Sequence, residues 1–348
     1  MYQPKFTITP EINNRIAEIE RIKEVVSKSR ILPEQEVVLR FRAKVEAIHS
    51  STSIEGNILN KKEVEKILGG EIIKANESMI TEALNYKKAI DWMEKRLIKP
   101  GKIEVKDILQ LHYLTMKDLL PKEKVGVFRQ GPVYIVDVIN GQDVVRYIGP
   151  KGVMVERLIK ELLIWLNQES GRLHPLLIAG LLHYEFVSIH PFSDGNGRVT
   201  RLLTLFFLWL NRYGFKRVLI PDIYYWQNRL AYYDALNRAK TYDGRGRVDV
   251  TPWLEFFTKG FLIVAKDLEK EITAVSLSGK DKETIRLSSD DLIMVDFVKQ
   301  MGKADLQDML SIINGSERTV QRRLKELVDK KIFKKYGKAR SVFYKLAK

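Results

Sequence analysis

Between residues 11 and 29 the apolar positions Ile12, Ile16, Ile19 and Ile22 recur every three or four residues, with charged residues between them. That spacing places the isoleucines on one stripe of a helix. A second helix is predicted from about Gln35 to His49, with Val38, Phe41 and Val45 on one face, and Ser51–Asn57 punctuates it. The helical pattern resumes at Lys61–Leu68 and Glu77–Leu97; Pro100-Gly101 then breaks the chain before a helix over Val105–Leu119. The period changes at Val133–Ile139 and Val144–Ile148, two β-branched runs flanking Asn140-Gly141, the strongest short hairpin signal. Helical spacing returns at Val155–Asn167, Pro175–Ser188, Arg198–Tyr213, Tyr224–Tyr242 and Pro252–Glu271.

The hydrophilic stretch Ser276–Ser288 reads as a linker. Beyond it, Ser289–Met301, Lys303–Ile313 and Ser316–Lys330 read as three short helices, followed by two strand-like pieces around Gly337. Three helices and a β-wing resemble a winged helix-turn-helix. The pattern therefore predicts a mainly α chain in four parts. These are an N-terminal helical region (1–100), a helical core with one β-hairpin (101–275, hairpin 130–148), a linker (276–288) and a small winged-helix-like domain (289–348). No internal repeat or low-complexity tract interrupts them.

Composition narrows the class. The chain has 348 residues, 45% hydrophobic and 30% charged, an ordinary globular mixture. Cysteine is absent, which excludes a disulfide framework and suits a reducing compartment. Met1–Lys5 lacks a signal-peptide pattern, and the apolar run Leu202–Leu210 is far shorter than the ~20 residues of a membrane span. A soluble, cytoplasmic protein without a membrane partner is expected. Net charge is +15, of which Ser316–Lys348 carries +9 in 33 residues, with 12 Lys/Arg against 3 Asp/Glu. So basic a module calls for an acidic partner, DNA first, or else serves in homodimer formation or in docking a protein.

The chemistry concentrates in His190-Pro-Phe-Ser-Asp-Gly-Asn-Gly-Arg-Val-Thr-Arg201. A glycine-rich turn that opens into a helix presents backbone N–H groups at the positive end of the helix dipole, a seat for phosphate. Arg198 and Arg201, three apart, project from neighbouring positions of that helix. His190 precedes the turn and can sit beside the phosphate. Phosphoryl or nucleotidyl transfer is the reaction class this suggests.

At these residues the chain resembles the Fic family, whose pattern His-Pro-Phe-x-(Asp/Glu)-Gly-Asn-Gly-Arg-x-x-Arg is matched at every specified position. The likeness extends to Leu182–Ile189, to Gly126-Val-Phe-Arg129 and to Ser51-Thr-Ser-Ile-Glu-Gly56, touching most of residues 1–265. The resemblance implies transfer of AMP from ATP to a Ser, Thr or Tyr hydroxyl of a target protein, releasing pyrophosphate. In that reading His190 is the base. Asp194 holds Mg²⁺. Gly195, Asn196 and Gly197 cradle the phosphates, and Arg198 and Arg201 bind the β- and γ-phosphates. Phe192 packs in the core and fixes the loop. Gly197 matters, because the family's kinase-like branch carries Lys there; this chain follows the AMP-transferring pattern.

Further assignments also rest on the resemblance. Arg229-Leu-Ala-Tyr-Tyr233 is similar to a segment that lines the adenosine, which makes Tyr232 and Tyr233 nucleotide-binding candidates; two aromatics in a helix core are the alternative, and another nucleotide such as UMP stays open. Ser51–Gly56 matches an inhibitory pattern, (Ser/Thr)-x-x-x-Glu-(Gly/Asn), in which Glu55 would pair with Arg201 in the place of the γ-phosphate. The plain alternative is a helix end with Gly56 as its cap. The hairpin would be a flap that docks the target at Val133 and Ile135, or these residues simply pack the flap onto the core. His183 reads as a core histidine, and His49, His112 and His174 have no metal-ligand spacing. Two other functions fit the same residues: a nucleotide-sensing DNA-binding regulator, and the reverse reaction, removal of AMP from a modified protein.

Overall fold

A computed structural model describes residues 2–139, 142–245, 248–278, 287–313, 315–337 and 342–347. The Asn140-Gly141 turn, residues 279–286 of the expected linker, and Lys338 and Arg340 of the expected wing lie outside the described residues. The chain divides into two units, Met1–Ser27 with Ala43–Glu269, and Lys28–Arg42 with Lys270–Lys348.

The larger unit is built from helices. In order come α1 (Pro10–Lys28), α2 (Pro33–Ile54), α3 (Lys61–Leu68), α4 (Glu77–Arg96) and α5 (Val105–Met116). After the hairpin β1 (Tyr134–Ile139) and β2 (Gln142–Ile148) follow α6 (Val155–Glu169), α7 (Pro175–Ile189), α8 (Asn196–Leu210), α9 (Asp222–Gln227), α10 (Arg229–Leu236) and α11 (Thr251–Ser278). The unit division falls at the last residue of α1 and inside α2 and α11. Local chemistry sets several starts. Asn60 and Glu63 form a reciprocal capping box at α3, and Pro175 opens α7 behind the His174 cap.

At the centre lie α7 and α8, buried along most of their lengths; α7 is mostly apolar on every side, whereas α8 also buries Arg198 and Arg201. They are joined by the five residues from His190 to Asp194 plus Gly195, which puts the motif at the meeting point of two core helices. The hairpin pairs Ile135 with Tyr147 and Val136 with Val145, with a bulge between Ile135 and Val136. Its side chains Tyr134, Ile135, Val136, Val144 and Val145 are exposed. It is tied down at one end, where the Tyr147 hydroxyl donates to the Ser188 carbonyl at 2.8 Å and Ile148 exchanges bonds with Lys240 and Tyr242.

Two elements differ from the pattern reading. The α2 helix runs on through Ser51–Ile54, where polar residues signalled its end. The single helix expected over 224–242 is two, broken at Asn228 (φ −120°, ψ 40°) and finished by Asn237.

The second unit contains α12 (Ser289–Met301), α13 (Leu306–Ile312), α14 (Glu317–Asp329) and the antiparallel hairpin β3 (Phe333–Tyr336) and β4 (Phe343–Leu346). Capping boxes at Ser288/Asp291 and Asp305/Asp308 start α12 and α13. Ala304, between these two helices, pairs with Tyr344 of β4 through two backbone bonds of 2.8 and 3.0 Å. The core comprises Val295, Val298, Met309, Val320, Leu324, Leu327 and Phe333, and Val37 from the N-terminal half of α2 joins it. Among the described residues no helix is long and apolar enough to cross a membrane.

Candidate active site

The chain leaves α7 through His190, held in the left-handed region (φ 50°, ψ 61°) with its N–H on the Phe186 carbonyl. A non-glycine residue adopts this conformation only when its surroundings over-determine it. Arg129 supplies much of that constraint. Its guanidinium donates to the carbonyls of His190 (2.7 Å), Ile189 (3.2 Å), Pro150 (2.8 Å) and Gly131 (2.6 Å), and its backbone N–H donates to Pro191. One side chain thus clasps the end of α7 to both bases of the hairpin.

The His190 ring donates from Nδ1 to the Val187 carbonyl at 2.9 Å, since a carbonyl can only accept. In the neutral ring the lone pair therefore sits on Nε2. Burial lowers the His190 pKa below its ordinary value, and the charge of Arg129 adds to that effect.

The loop after His190 is braced from within. Asn196 is buried, its Oδ1 accepting from the Phe192 N–H (2.8 Å) and its Nδ2 donating to the Phe192 carbonyl (2.9 Å). The Phe192 ring is fully buried and stacks on His112 at 3.8 Å. His112 accepts from the Gly126 N–H and so donates from Nε2 to the Asp194 carbonyl at 3.2 Å. Asp194 turns its carboxylate outward, 59% exposed, bonded to the Gly195 N–H and 3.3 Å from Arg198.

Both arginines of α8 are buried and paired. Arg201 donates to Ser51 Oγ (2.7 Å), to the Ser51 carbonyl (3.0 Å) and to Glu55 Oε1 (2.7 Å). Asp222 lies 4.0 Å from its Nε, and the Asp222 carboxyl is pushed up to about 6 by burial, against the pull of Arg201. Arg198 donates to Glu82 Oε1 at 2.6 Å, and Glu82 Oε2 accepts from Asn57 at 2.7 Å.

Glu55 sits at the N-terminal end of α8. A Cβ on Gly197 would run into its carboxylate, so any larger residue there would push the Glu55 side chain aside. Gly56 turns the chain away with φ 100°, a conformation that other residues rarely adopt. Burial alone would raise the Glu55 carboxyl, yet Arg201 and Arg198 outweigh it and hold it below the usual carboxylate range.

Tyr232 and Tyr233 part company. Tyr233 is 42% exposed, with its hydroxyl 3.4 Å from the Ile54 carbonyl. Tyr232 is buried and bonded to His183 Nε2 at 3.0 Å, while His183 Nδ1 faces Thr204. Burial holds His183 well below its ordinary pKa, hence neutral in the fold. An unfolded histidine titrates near 6.5, so below that pH unfolding takes up a proton and stability falls by up to about 1.4 kcal/mol per pH unit for this one group. Urea melts between pH 7 and 5 should show this slope, and His183→Gln should lessen it while the other depressed histidines keep the remainder; the same slope in both chains would place the uptake elsewhere.

Residues 102–208 match the Fic/DOC family. This chain carries a Fic domain. The Fic domain's match runs from α5 to α8 and so includes Arg129, His190, Asp194, Arg198 and Arg201, whereas Glu55, Glu82, Asp222 and Tyr233 lie outside it. Among curated proteins the chain is similar to protein adenylyltransferase Fic of Drosophila erecta, 33% identical over 279 residues that cover 73% of this chain and 51% of the relative. It is likewise similar to the protein of that name from Drosophila willistoni, 36% identical over 224 residues, covering 62% and 40%. The chain therefore spans about half the length of these relatives or less. Among solved structures it resembles a Fic family protein from Desulfovibrio desulfuricans G20 (TM-score 0.63, 24% identity, 99% and 98% of the two chains). It also resembles Fic-1 from C. elegans (TM-score 0.57, 22% identity, 78% and 74%). These two likenesses concern the fold.

Arg129 lies in a segment that the sequence reading tied to the family, but no role could be given to it. Glu82 carried no signal at all, being one glutamate on a helix with many.

Proposed function

We propose that the Fic domain of this chain transfers AMP from ATP to a hydroxyl side chain of a target protein. The observation that carries this reading is His190, its Nδ1 committed to Val187 and its Nε2 lone pair available, beside the N-terminus of a helix that bears Arg198 and Arg201. The target oxygen forms a bond to the α-phosphorus, the bond to pyrophosphate breaks, and the hydroxyl proton goes to His190 Nε2. First-turn amides of α8, which have no partners within the helix, face the phosphates along with the two arginines. Tyr233, partly exposed beside the end of α2, is the residue offered to the adenosine; Tyr232 supports it from the core. Asn196 acts by holding the loop shape, since both ends of its amide are spent on Phe192.

Mg²⁺ fits this site through Asp194. Magnesium is commonly bound by one or two carboxylates plus substrate phosphates, and the outward carboxylate of Asp194 beside the phosphate turn supplies such a ligand. When bound, the ion neutralises charge on the phosphates.

Glu55 acts as a brake in this reading. It occupies the anion seat at α8 and engages Arg201, so a nucleotide that needs Arg201 for its γ-phosphate binds in a shifted pose. The exposed hairpin, with Val133 half-buried at its base and Ile135 on β1, offers an edge to an extended target segment.

Incubation with ATP labelled at the α-phosphate and a cell extract tests the proposal. Label should enter protein and be lost with His190→Ala. Loss of AMP from premodified protein without ATP, and no gain with ATP, would favour the reverse reaction instead.

Glu82 should matter to nucleotide binding by orienting Arg198. Glu82→Gln keeps the shape but drops the charge, and should raise KM for ATP by about tenfold with little change in kcat. An unchanged KM would mean that Arg198 orients without it.

A further inference from the structure

We propose that the second unit binds double-stranded DNA, with α14 from Arg318 to Lys325 in the major groove and the β3–β4 hairpin on the flanking backbone. This function is separate from the nucleotide chemistry of the larger unit.

The first support is how α14 sorts its basic residues. Val320, Leu324 and Leu327 are buried in the unit's core. Arg323 turns inward and is spent on the fold, donating to Ser288 and pairing with Asp290 (2.9 Å) and Asp291 (3.0 Å) at the start of α12. Arg318, Arg322 and Lys325 instead share the exposed face with Gln321. Arg322 has an exposed helical neighbour, Glu326, at 3.9 Å, a contact worth little in water. Arginine and glutamine are the side chains that read guanine and adenine edges, and helix N-terminal residues make such contacts in helix-turn-helix docking. Asp329 closes the same face one turn beyond Lys325, which confines the contact to the stretch from Arg318 to Lys325.

The hairpin supplies an independent observation. Lys334 and Lys345 are directly opposite in the β3–β4 register, and both are exposed. Like charges at facing positions destabilise a strand pair, so this arrangement is unfavourable until an anion lies across it. Next along the hairpin, Tyr336 and Phe343 stack at 5.5 Å, and Lys303, Lys334 and Lys345 lie 5.4 to 5.9 Å from those rings. The aromatic pair keeps the lysine-bearing face firm. Lys335, on the other face of the hairpin, is also exposed, and the Ala304–Tyr344 bridge fastens the hairpin to the turn before α13. Charge, helix face and strand register all specify a polyanion with a groove; DNA has both.

The test uses the full chain and a fluorescent mixed-sequence duplex of about three helical turns. Anisotropy should show binding that weakens steeply with salt, with a log–log slope of about −0.9 for each phosphate neutralised. Arg318→Ala/Arg322→Ala/Lys325→Ala should weaken binding at least about tenfold, and Lys334→Ala/Lys345→Ala should reduce that slope by about 2. A charge-matched control, Lys62→Ala/Lys66→Ala/Lys74→Ala, changes exposed lysines of the larger unit and should bind as the parent does. All substituted side chains are exposed, so the variants should melt like the parent. Absence of binding at low salt, an unchanged affinity in the helix variant, an unchanged slope in the hairpin variant, or a preference for single strands over the duplex would overturn the proposal.

Discussion

A Glu55→Gly chain should transfer AMP at least about tenfold faster than the parent at the same ATP and Mg²⁺, a change of about 1.4 kcal/mol or more in the barrier. The reasoning starts from a place that cannot hold two anions. The Glu55 carboxylate, Gly197 and Arg201 lie in mutual contact at the start of α8. A γ-phosphate directed to Arg201 must displace the carboxylate or bind elsewhere. Removing the side chain frees the guanidinium for ATP while leaving the bonds from Arg201 to Ser51 in place. Stability should fall by less than the ~3–5 kcal/mol of a fully buried broken pair, because Asp222 stays 4.0 Å from Arg201 and Glu55 is partly solvated. Labelled transfer and urea melts of the two chains provide both readings. Equal transfer rates would remove Glu55 from any inhibitory role.

His190→Ala in the Glu55→Gly background should lose about 10²–10⁴-fold in transfer rate, the ordinary contribution of a positioned general base. ATP binding should persist, because Arg198, Arg201 and the helix amides are untouched. The pH dependence carries a further signature. Burial depresses the His190 pKa, so the neutral, proton-accepting ring persists into mildly acidic solution. The acid limb of the rate profile should therefore fall below pH 6.5, the ordinary histidine value. A limb at or above that pH, or one that survives His190→Ala, would assign the titration to another group.

Much of the fold was legible because its causes are local. The isoleucine spacing of α1, the short helical stretches after the linker and the change of period at the hairpin are short-range signals, and the elements appear where they point. The motif at 190–201 was legible for a different reason: a phosphate turn needs particular residue types in consecutive order. Long-range contacts decided the rest. The Ser51–Ile54 segment has poor helix formers, yet it stays helical because all four residues are buried and Arg201 grips the Ser51 hydroxyl and carbonyl. Tyr232 and Tyr233 are neighbours of one type, and only packing against His183 sends one inward while the other meets the solvent.

By itself, then, the sequence determined the helical class, the hairpin, the basic C-terminal module and the order of chemical groups from His190 to Arg201. The Glu55–Arg201 pair was expected from the family resemblance; the other partners were decided by the tertiary structure alone. It sets Arg129 on four carbonyls, Glu82 on Arg198 and Asn196 on its own loop. The physical reason is separation along the chain. Arg129 and His190 are 61 residues apart, Glu82 and Arg198 are 116 apart, and Glu55 and Arg201 are 146 apart. Propensity and periodicity act over a few residues, whereas a charge pair across such distances exists only once the core has brought its helices together.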